Sequence, residues 1–203
     1  MQIEPKIPSI IIISGSCRVD SAHLKLAKVC LEESKSLTLG GHVPPPTVVS
    51  AETVAELQRQ IPLFDEDVEK VGFPQAVIDL KKLITEADGI LWLNPEYNGS
   101  FTPLMKNTID WASRGHEPNE QYGGAYKDKV CAIISTSPGG LGGVRGQPHL
   151  REVLHHLRCD VIGANATIGH CFSAFKEDGS LVDEKNRVKV HNVVEALVHR
   201  CAI

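Results

Sequence analysis

The sequence has few of the features that mark nucleic-acid-binding, membrane-spanning or disulfide-rich proteins. Its 203 residues carry a net charge of −4, whereas binding to phosphate backbones needs a basic surface. The apolar run near the N-terminus, Ile10 to Ile13, is far too short to cross a bilayer. The six cysteines form no C-x-x-C pair, which favours reduced, mostly buried thiols over disulfides. We therefore expect a cytoplasmic protein that binds neither nucleic acid nor membrane.

Several familiar catalytic and phosphate-binding motifs are also missing. The nine histidines show no H-E-x-x-H or other metal-ligand spacing, so no metal site is expected. The loop after the first apolar run holds one glycine and is neither a Walker A loop nor G-x-G-x-x-G. Cys17 invites comparison with low-molecular-weight tyrosine phosphatases, which carry C-x5-R at this place. The residue six positions after Cys17 is His23, so a packing role is expected for this thiol.

What the sequence does contain is an alternation of apolar strands and amphipathic helices. Near-continuous apolar runs indicate strands buried on both faces, and apolar residues at helical spacing separate them. This pattern predicts an α/β fold, a parallel sheet covered by helices on both sides, in one domain over residues 1–203. The strands are predicted at 9–14, 87–94, 129–137 and 160–168, and the helices at 21–34, 74–86, 102–114, 147–158 and 183–200.

The segment from residue 35 to 62 is the least clear part of the fold. A proline-rich turn precedes a possible short strand in TVVS, and ETVAELQRQ predicts a short helix. IPLFDEDVEK, with four acidic residues, is predicted to be a loop. The second strand of the sheet therefore has the weakest support.

Unusual loops follow three of the four clear strands. Ligands of open α/β sheets bind beyond the carboxyl ends of the strands, so the three loops are expected at one rim. The first, SGSCRVDS, leads into a helix N-terminus and offers Ser16, Ser21 and Arg18 as donors, which suits a terminal phosphate. The alternative is a glycine turn in which Ser21 caps the helix and Arg18 is solvated. This loop alone does not decide between them.

The second and third loops suggest contact with a flat ligand. In NPEYNGS, Pro95 stiffens the chain and Gly99 lets it turn, which holds the residues between them at the rim. A heteroaromatic ring would use such groups, whereas the alternative is a turn in which Asn98 and Gly99 serve geometry only. SPGGLGG has four glycines in seven residues, which suits close approach of backbone to a ligand or a mobile surface loop.

Four blocks together resemble the NADPH-dependent FMN reductase family, which includes bacterial quinone, chromate and azo-compound reductases. They follow the family's order and spacing over roughly residues 9 to 170. The blocks are GSCRVDSAHLKLA, PLFDEDVE, NPEYNGSFTPLMKNTIDWASR and SPGGLGGVRGQPHLREVL. The resemblance implies a flavodoxin-like, doubly wound sheet of five parallel strands with FMN at its rim.

The resemblance also implies which residues bind FMN, and it implies no catalytic side chain. The phosphate positions match Ser16, Arg18, Ser21 and His23, although many members have asparagine where this chain has His23. The segments that line the isoalloxazine match Pro95, Glu96, Tyr97 and Asn98, and then Ser137, Gly139 and Gly140. Glu96 is expected to orient its loop rather than act as an acid.

The activity implied by the resemblance is oxidation of NADPH or NADH through FMN, with ping-pong kinetics at one face of the ring. The electron acceptor would be a quinone, a free flavin, an azo compound or a metal oxyanion. Family members are commonly dimers or tetramers, and the apolar residues on several faces of helix 102–114 fit either an oligomer or a helix buried in the monomer. Two alternatives stay open: an electron carrier or redox sensor without turnover, and a module whose rim binds another phosphorylated ligand or no ligand at all.

Overall fold

The computed structural model describes residues 6–37 and 44–203. In these ranges five strands form one sheet in the order β2-β1-β3-β4-β5, and every pair is parallel. The strand order reverses between β1 and β3, as in doubly wound, flavodoxin-like folds, so the predicted fold class is confirmed. The strands are β1 Ser9–Ser14, β2 Thr47–Val49, β3 Gly89–Pro95, β4 Val130–Thr136 and β5 Asp160–Ile168.

The central strands read as continuous apolar runs because each contributes to two hydrophobic cores. In β1, Ile10 and Ile12 belong to one core, and Ile11 and Ile13 belong to the other. A strand buried on only one face would need polar residues at alternate positions. The sequence pattern therefore follows from the two layers of helices.

Helices cover both faces of the sheet. One core includes residues of α1 and α7, and the other includes residues of α4, α5 and α6. No helix in the described ranges is both long enough and apolar enough to span a membrane. The helices are α1 Ala22–Lys35, α2 Ala51–Gln58, α3 Glu66–Val71, α4 Gln75–Glu86, α5 Pro103–Ser113, α6 Gly146–His156 and α7 Glu184–Cys201.

Two capped helix starts place the rim loops: the cap at Thr102 was predicted, and the cap at Ser21 is the role that the alternative interpretation of the first loop gave this residue. Ser21 caps α1, because its Oγ accepts a hydrogen bond from the backbone N–H of His23 at 3.2 Å. Thr102 caps α5 in the same way toward Met105 at 3.3 Å, with Pro103 at the first helical position. The other predicted helix and strand ends differ from the observed ones by at most about two residues.

The prediction of a loop over residues 61–70 was wrong from residue 66 onward, where α3 begins, whereas residues 61–65 are irregular as predicted. Asp65 caps this short helix by accepting a hydrogen bond from the backbone N–H of Asp67 at 2.8 Å. Three acidic residues occupy its first turn, where the helix dipole favours negative charge. No residue of α3 is buried, so the helix leaves no apolar periodicity in the sequence.

The uncertain second strand is present, and it is short. Its three residues pair in parallel with β1, where Ile10 lies opposite Val48. The predicted short helix after it is confirmed as α2. Residues 38–43, part of the segment that the sequence left unclear, lie outside the described residues.

The apolar faces of α5 are accounted for within the chain itself. Met105, Ile109, Trp111 and Ala112 are each at most 2% exposed in the isolated chain. The apolar pattern of this helix therefore does not itself indicate an oligomer.

Candidate active site

The three rim loops predicted from sequence meet in one cleft of about 180 Å³ at the carboxyl ends of β1, β3 and β4. The cleft lies at the reversal of strand order, where this fold class binds ligands. Eight of the eleven predicted site residues line it: Ser16, Arg18, Ser21, His23, Pro95, Glu96, Tyr97 and Ser137. Asn98, Gly139 and Gly140 lie in the same loops but outside its wall.

Local hydrogen bonds fix the loop after β1. The backbone N–H of Ser16 donates to Ser14 Oγ at 3.2 Å, and this hydroxyl donates to the carbonyl of Ser16 at 3.0 Å. The N–H of Ser21 donates to the carbonyl of Arg18 at 3.0 Å. These bonds hold the first turn of α1 against the cleft, so the N–H groups of this turn that Ser21 does not cap are available to an anion.

The helix α2 supports the same loop from outside the cleft. Gln58 is buried, and its Nε2 donates to the carbonyl of Ser14 at 3.1 Å and to Thr108 Oγ1 at 2.9 Å. Cys17 Sγ contacts Gln58 Oε1 at 3.3 Å, and burial raises the pKa of this thiol. A raised pKa opposes nucleophilic chemistry, in agreement with the packing role expected for Cys17.

Two polar side chains of the first loop have no partner in the described protein. The guanidinium of Arg18 is exposed and forms no ion pair within residues 6–37 and 44–203. His23 is only 6% exposed, and its Nε2 has no hydrogen-bond partner among the described residues. A buried polar atom without a partner is costly, and because His23 belongs to the cleft wall, a ligand bound there could complete this nitrogen.

The imidazole of His23 is neutral at ordinary pH. Burial lowers the pKa of His23 to about 4, a hydrogen bond with the backbone of Asn94 partly opposes this shift, and the nearby charge of Arg18 adds to it. The first loop therefore offers one fixed positive charge and one neutral ring nitrogen to the cleft.

The loop after β3 begins with a tight turn. The N–H of Tyr97 donates to the carbonyl of Ser100 at 2.9 Å, and the reverse bond is 3.1 Å. The φ angles of Asn98 and Gly99 are +52° and +78°, which is the geometry of a type I′ turn. Asn98 thus lies at the turn tip, while Tyr97 is 58% exposed and forms part of the cleft wall.

Glu96 connects this loop to the loop after β4. One carboxylate oxygen accepts the backbone N–H of Arg145 at 2.9 Å, and the other lies 3.2 Å from Arg145 Nε. The Glu96 side chain is 12% exposed. These contacts agree with the expectation that Glu96 orients its loop.

The glycines after β4 are explained by different features of the structure. Gly142 has φ +62°, and a Cβ there would lie 2.7 Å from the backbone nitrogen of Ile168, so packing within the protein explains this residue. A Cβ at Gly139 would meet no atom within 4 Å. The open space beside Gly139 would let a ligand approach its backbone, whereas packing explains Gly142 without any ligand.

Sequence reasoning missed five residues of the cleft wall. Two of them, Cys171 and Phe172, follow β5, whose carboxyl end meets the same rim. The rule that located the other loops applies equally to β5, but GHCFS lacks the density of glycine and hydroxyl groups that drew attention to them. The five residues are Ala22, Thr136, Pro138, Cys171 and Phe172.

The K-N-x-I-D-W block supports the fold and lies outside the cleft wall. Asn107 Oδ1 accepts the N–H of Phe64 at 2.7 Å, and its Nδ2 donates to the carbonyl of Pro62 at 2.9 Å. Trp111 Nε1 donates to the same carbonyl at 2.9 Å. The ring of Phe64 packs edge-on against Trp111 with centroids 5.0 Å apart.

Comparison with known proteins decides the family. Residues 8–173 match the family described as NADPH-dependent FMN reductase. The chain belongs to this family. The resemblance given by the four sequence blocks is therefore confirmed.

Relatives of similar length are reductases by name. The chain is 37% identical over 188 residues to the NAD(P)H-dependent FMN reductase of Pseudomonas aeruginosa, covering 91% of this chain and 90% of that protein. It is 34% identical over 205 residues to the NADPH:quinone oxidoreductase of Arabidopsis thaliana, covering 96% and 92%. Among solved structures, the flavoenzyme NAD(P)H:(acceptor) oxidoreductase FerB of Paracoccus denitrificans matches with a TM-score of 0.76 and 30% identity, covering 96% and 97%.

The cleft of this FMN reductase family member fits the cofactor that the family name implies. Its first loop provides a cation, hydroxyl groups and a helix N-terminus, which together suit a phosphate. The partnerless Nε2 of His23 belongs to a residue of the cleft wall, where a bound ligand could complete it. Within the described residues, no group of three or more His, Cys, Asp or Glu side chains is arranged to hold a metal ion.

Proposed function

We propose that this chain is an FMN-dependent NAD(P)H oxidoreductase that reduces a small acceptor such as a quinone, a flavin, an azo compound or a metal oxyanion. The observation that supports it best is the convergence of an unpaired Arg18 and a buried, partnerless His23 nitrogen in one cleft at the rim. When bound, FMN would supply the ring that takes a hydride from reduced nicotinamide and passes electrons on.

The side chains of the cleft bind and orient in this proposal. Ser16, Arg18, Ser21 and His23 hold the phosphate, with the first N–H groups of α1. The ring lies between the two later loops, against Pro95, Glu96, Tyr97 and Asn98 on one side and Ser137, Gly139 and Gly140 on the other. Both carboxylate oxygens of Glu96 already contact Arg145, so Glu96 fixes the distance between these loops.

A quinone is the acceptor class that we would test first. The quinone oxidoreductase of Arabidopsis thaliana aligns over nearly the whole chain. The exposed rings of Tyr97 and Phe172 on the cleft wall offer flat apolar surfaces, which suit a quinone better than a metal oxyanion.

The visible spectrum of the purified protein tests the proposal. We expect a yellow protein, or a colourless one that takes up added FMN, whose flavin band is lost when NADPH is added without oxygen and returns with a quinone. A protein that binds FMN but is not reduced would instead be a carrier or sensor. A protein that takes up no FMN would contradict the whole proposal.

We further propose that residues 1–203 act as one cytoplasmic domain that assembles into a homodimer or homotetramer. Leu63 and Val71 are 79% and 92% exposed, so apolar surface beside α3 has no partner within the described chain. Contact with a second copy would cover such side chains. Cell fractionation tests the location, and the mass of the protein in solution tests the assembly.

A further inference from the structure

A second pocket adjoins the cleft at its phosphate end. It has a volume of about 230 Å³, and it shares Arg18, Ala22, Cys171 and Phe172 with the cleft. Asp20, Lys25 and Phe175 complete its wall. We call it the outer pocket. The proposed binding of FMN gives it no role, since the phosphate ends at the first turn of α1.

The outer pocket brings together charged and aromatic groups that have no evident structural task. Arg18 and Lys25 are exposed, and neither forms an ion pair with any residue of the described ranges. Phe172 is 84% exposed, although it is a large apolar residue. Phe175 is half-buried and anchors the same loop against the core. A ring as exposed as that of Phe172 gains little from folding, which leaves it free to pack on a ligand.

These groups match the parts of an adenine nucleotide. Guanidinium and ammonium groups bind phosphate, and a phenyl ring offers a face on which a purine can stack. The carboxylate of Asp20 can accept a hydrogen bond from a free ribose hydroxyl, which is the 3′-hydroxyl in NADPH and either hydroxyl in the adenylate of FAD. Because Arg18 also serves the FMN phosphate in the proposed function, Lys25 is the cation that this pocket adds for a further phosphate.

We propose that the outer pocket binds the adenylate end of a dinucleotide whose other end lies in the cleft. The inference rests on the proposed function, because that function places a flavin in the cleft and brings a nicotinamide dinucleotide to it. Two ligands carry this chemistry: NADPH, whose adenosine bears a 2′-phosphate, and FAD, whose adenylate continues beyond the phosphate that FMN ends with.

The first experiment tests whether the outer pocket binds the adenylate of NADPH. Protein loaded with FMN is titrated calorimetrically with 2′,5′-ADP, which has an adenylate and no redox group. We expect Lys25→Gln and Phe172→Ala each to weaken this binding about tenfold. Phe172→Tyr keeps a ring and should bind as the wild type does.

The second experiment tests whether the outer pocket binds the adenylate of FAD. Apoprotein is titrated with FAD and with FMN, and the ratio of the two dissociation constants is measured. If FAD uses the outer pocket, Lys25→Gln should weaken FAD about tenfold and leave FMN unchanged. Lys28→Gln is the matched control in both experiments, since it removes one exposed charge from the same helix one turn away, beside a different cavity.

The outcomes separate this inference from the proposed function. Weaker ligand binding by the variants in either experiment supports adenylate binding in the outer pocket. The experiment in which binding weakens identifies the ligand. If the wild-type protein does not bind FMN, the proposed function is refuted instead. If FMN binds but the variants change the affinity for neither 2′,5′-ADP nor FAD, the outer pocket does not bind adenylate.

Discussion

At the scale of single residues, the site depends on a few polar atoms that the protein itself leaves without partners. His23 is buried with a free ring nitrogen, and Arg18 is exposed beside it without an ion pair in the described chain. Each property gives a measurable prediction. One concerns ligand affinity, and the other concerns the dependence of stability on pH.

Replacing Arg18 should weaken FMN binding. A guanidinium that pairs with a phosphate dianion makes charge-assisted hydrogen bonds, so we expect Arg18→Ala to cost about 1.5–3 kcal/mol of binding free energy. Titration of apoprotein with FMN measures the loss. Lys28→Ala, on the exposed surface of α1, should leave the affinity within a factor of about two. An unchanged affinity in Arg18→Ala would remove this residue from the site.

Replacing His23 should flatten the acid dependence of stability. The pKa of His23 falls from an ordinary value of 6.5 to about 4 in the folded chain, chiefly through burial. Between these pH values the unfolded chain binds a proton that the folded chain does not. The folded state therefore loses up to about 3 kcal/mol as the pH falls through this window, and keeps that stability above it.

Urea unfolding of the apoprotein at pH 7 and pH 4.5 tests this prediction. His23→Asn has no imidazole at this position, so its stability should fall less between the two pH values than that of the wild type. His155→Asn removes an exposed imidazole and should parallel the wild type. Parallel behaviour of His23→Asn would show that His23 is not buried in the neutral form.

At the scale of secondary-structure elements, polar contacts between helices and irregular segments hold the surroundings of the site. Helix α5 caps its own start with Thr102, whose hydroxyl also donates to the carbonyl of Gly15 at 2.7 Å. A Cβ at Gly15 would lie 2.6 Å from Pro95 Cδ, so the loops after β1 and β3 touch at this glycine. The position of α5 therefore sets the spacing of the two loops.

Removing the side chain of Asn107 should release the segment before α3 from α5. The amide makes two hydrogen bonds to backbone groups at residues 62 and 64, so we expect Asn107→Ala to lower the free energy of unfolding by about 1–2 kcal/mol. Urea denaturation measures the change. Lys106→Ala, its exposed neighbour, should cost less than about 0.5 kcal/mol. Equal effects of the two variants would contradict the anchoring role of Asn107.

A buried lysine joins α4 to the segment after α5. Lys81 is 2% exposed, and its Nζ lies 2.7 Å from Glu120 Oε1 and 2.9 Å from His116 Nδ1. Burial alone would raise the pKa of Glu120, but the hydrogen bond and charge of Lys81 and backbone N–H groups lower it to about 2. The carboxylate is thus ionised throughout the ordinary pH range, and the pair is intact there.

Breaking this pair should destabilise the chain in a non-additive way. We expect Lys81→Met to cost about 2–3 kcal/mol, because it leaves a largely enclosed carboxylate without its partner. The double variant Lys81→Met, Glu120→Gln should cost less than the sum of the single variants. Lys82→Met removes an exposed charge 3.9 Å from Glu86 and should be nearly neutral. Strict additivity would mean that the pair contributes no coupling.

At the scale of the whole molecule, the fold was predictable where burial leaves a periodic trace. Strands β1, β3 and β4 are flanked by two cores, so their runs are almost entirely apolar. The edge strand β5 has exposed positions and carries polar residues between its apolar ones. Helix α3 buries nothing and was missed for that reason. The loops after β1, β3 and β4 were found because glycines, hydroxyls and an arginine follow the strands directly in the sequence. Phe172 carries no such signature, and only the folded chain places it beside the cleft.

The assembly of the chain is the prediction that belongs to this scale. The mass of one chain is 22.1 kDa, and light scattering coupled to size exclusion should give two or four times this value. Val71→Asp places a charge on the exposed apolar surface beside α3 and should shift the mass toward that of one chain. A wild-type mass of one chain across micromolar concentrations would contradict the proposed oligomer.

The contacts of Glu96 with Arg145 bear on the source of the proton that quinone reduction consumes. This carboxylate is the only acidic side chain on the described wall of the cleft, and Arg145 occupies both of its oxygens. A quinone that accepts a hydride needs one further proton to form the hydroquinone, and we expect that proton to come from bulk water, because no carboxyl group on the described wall is free to donate it. Turnover should then slow in deuterium oxide without any single carboxyl group being responsible.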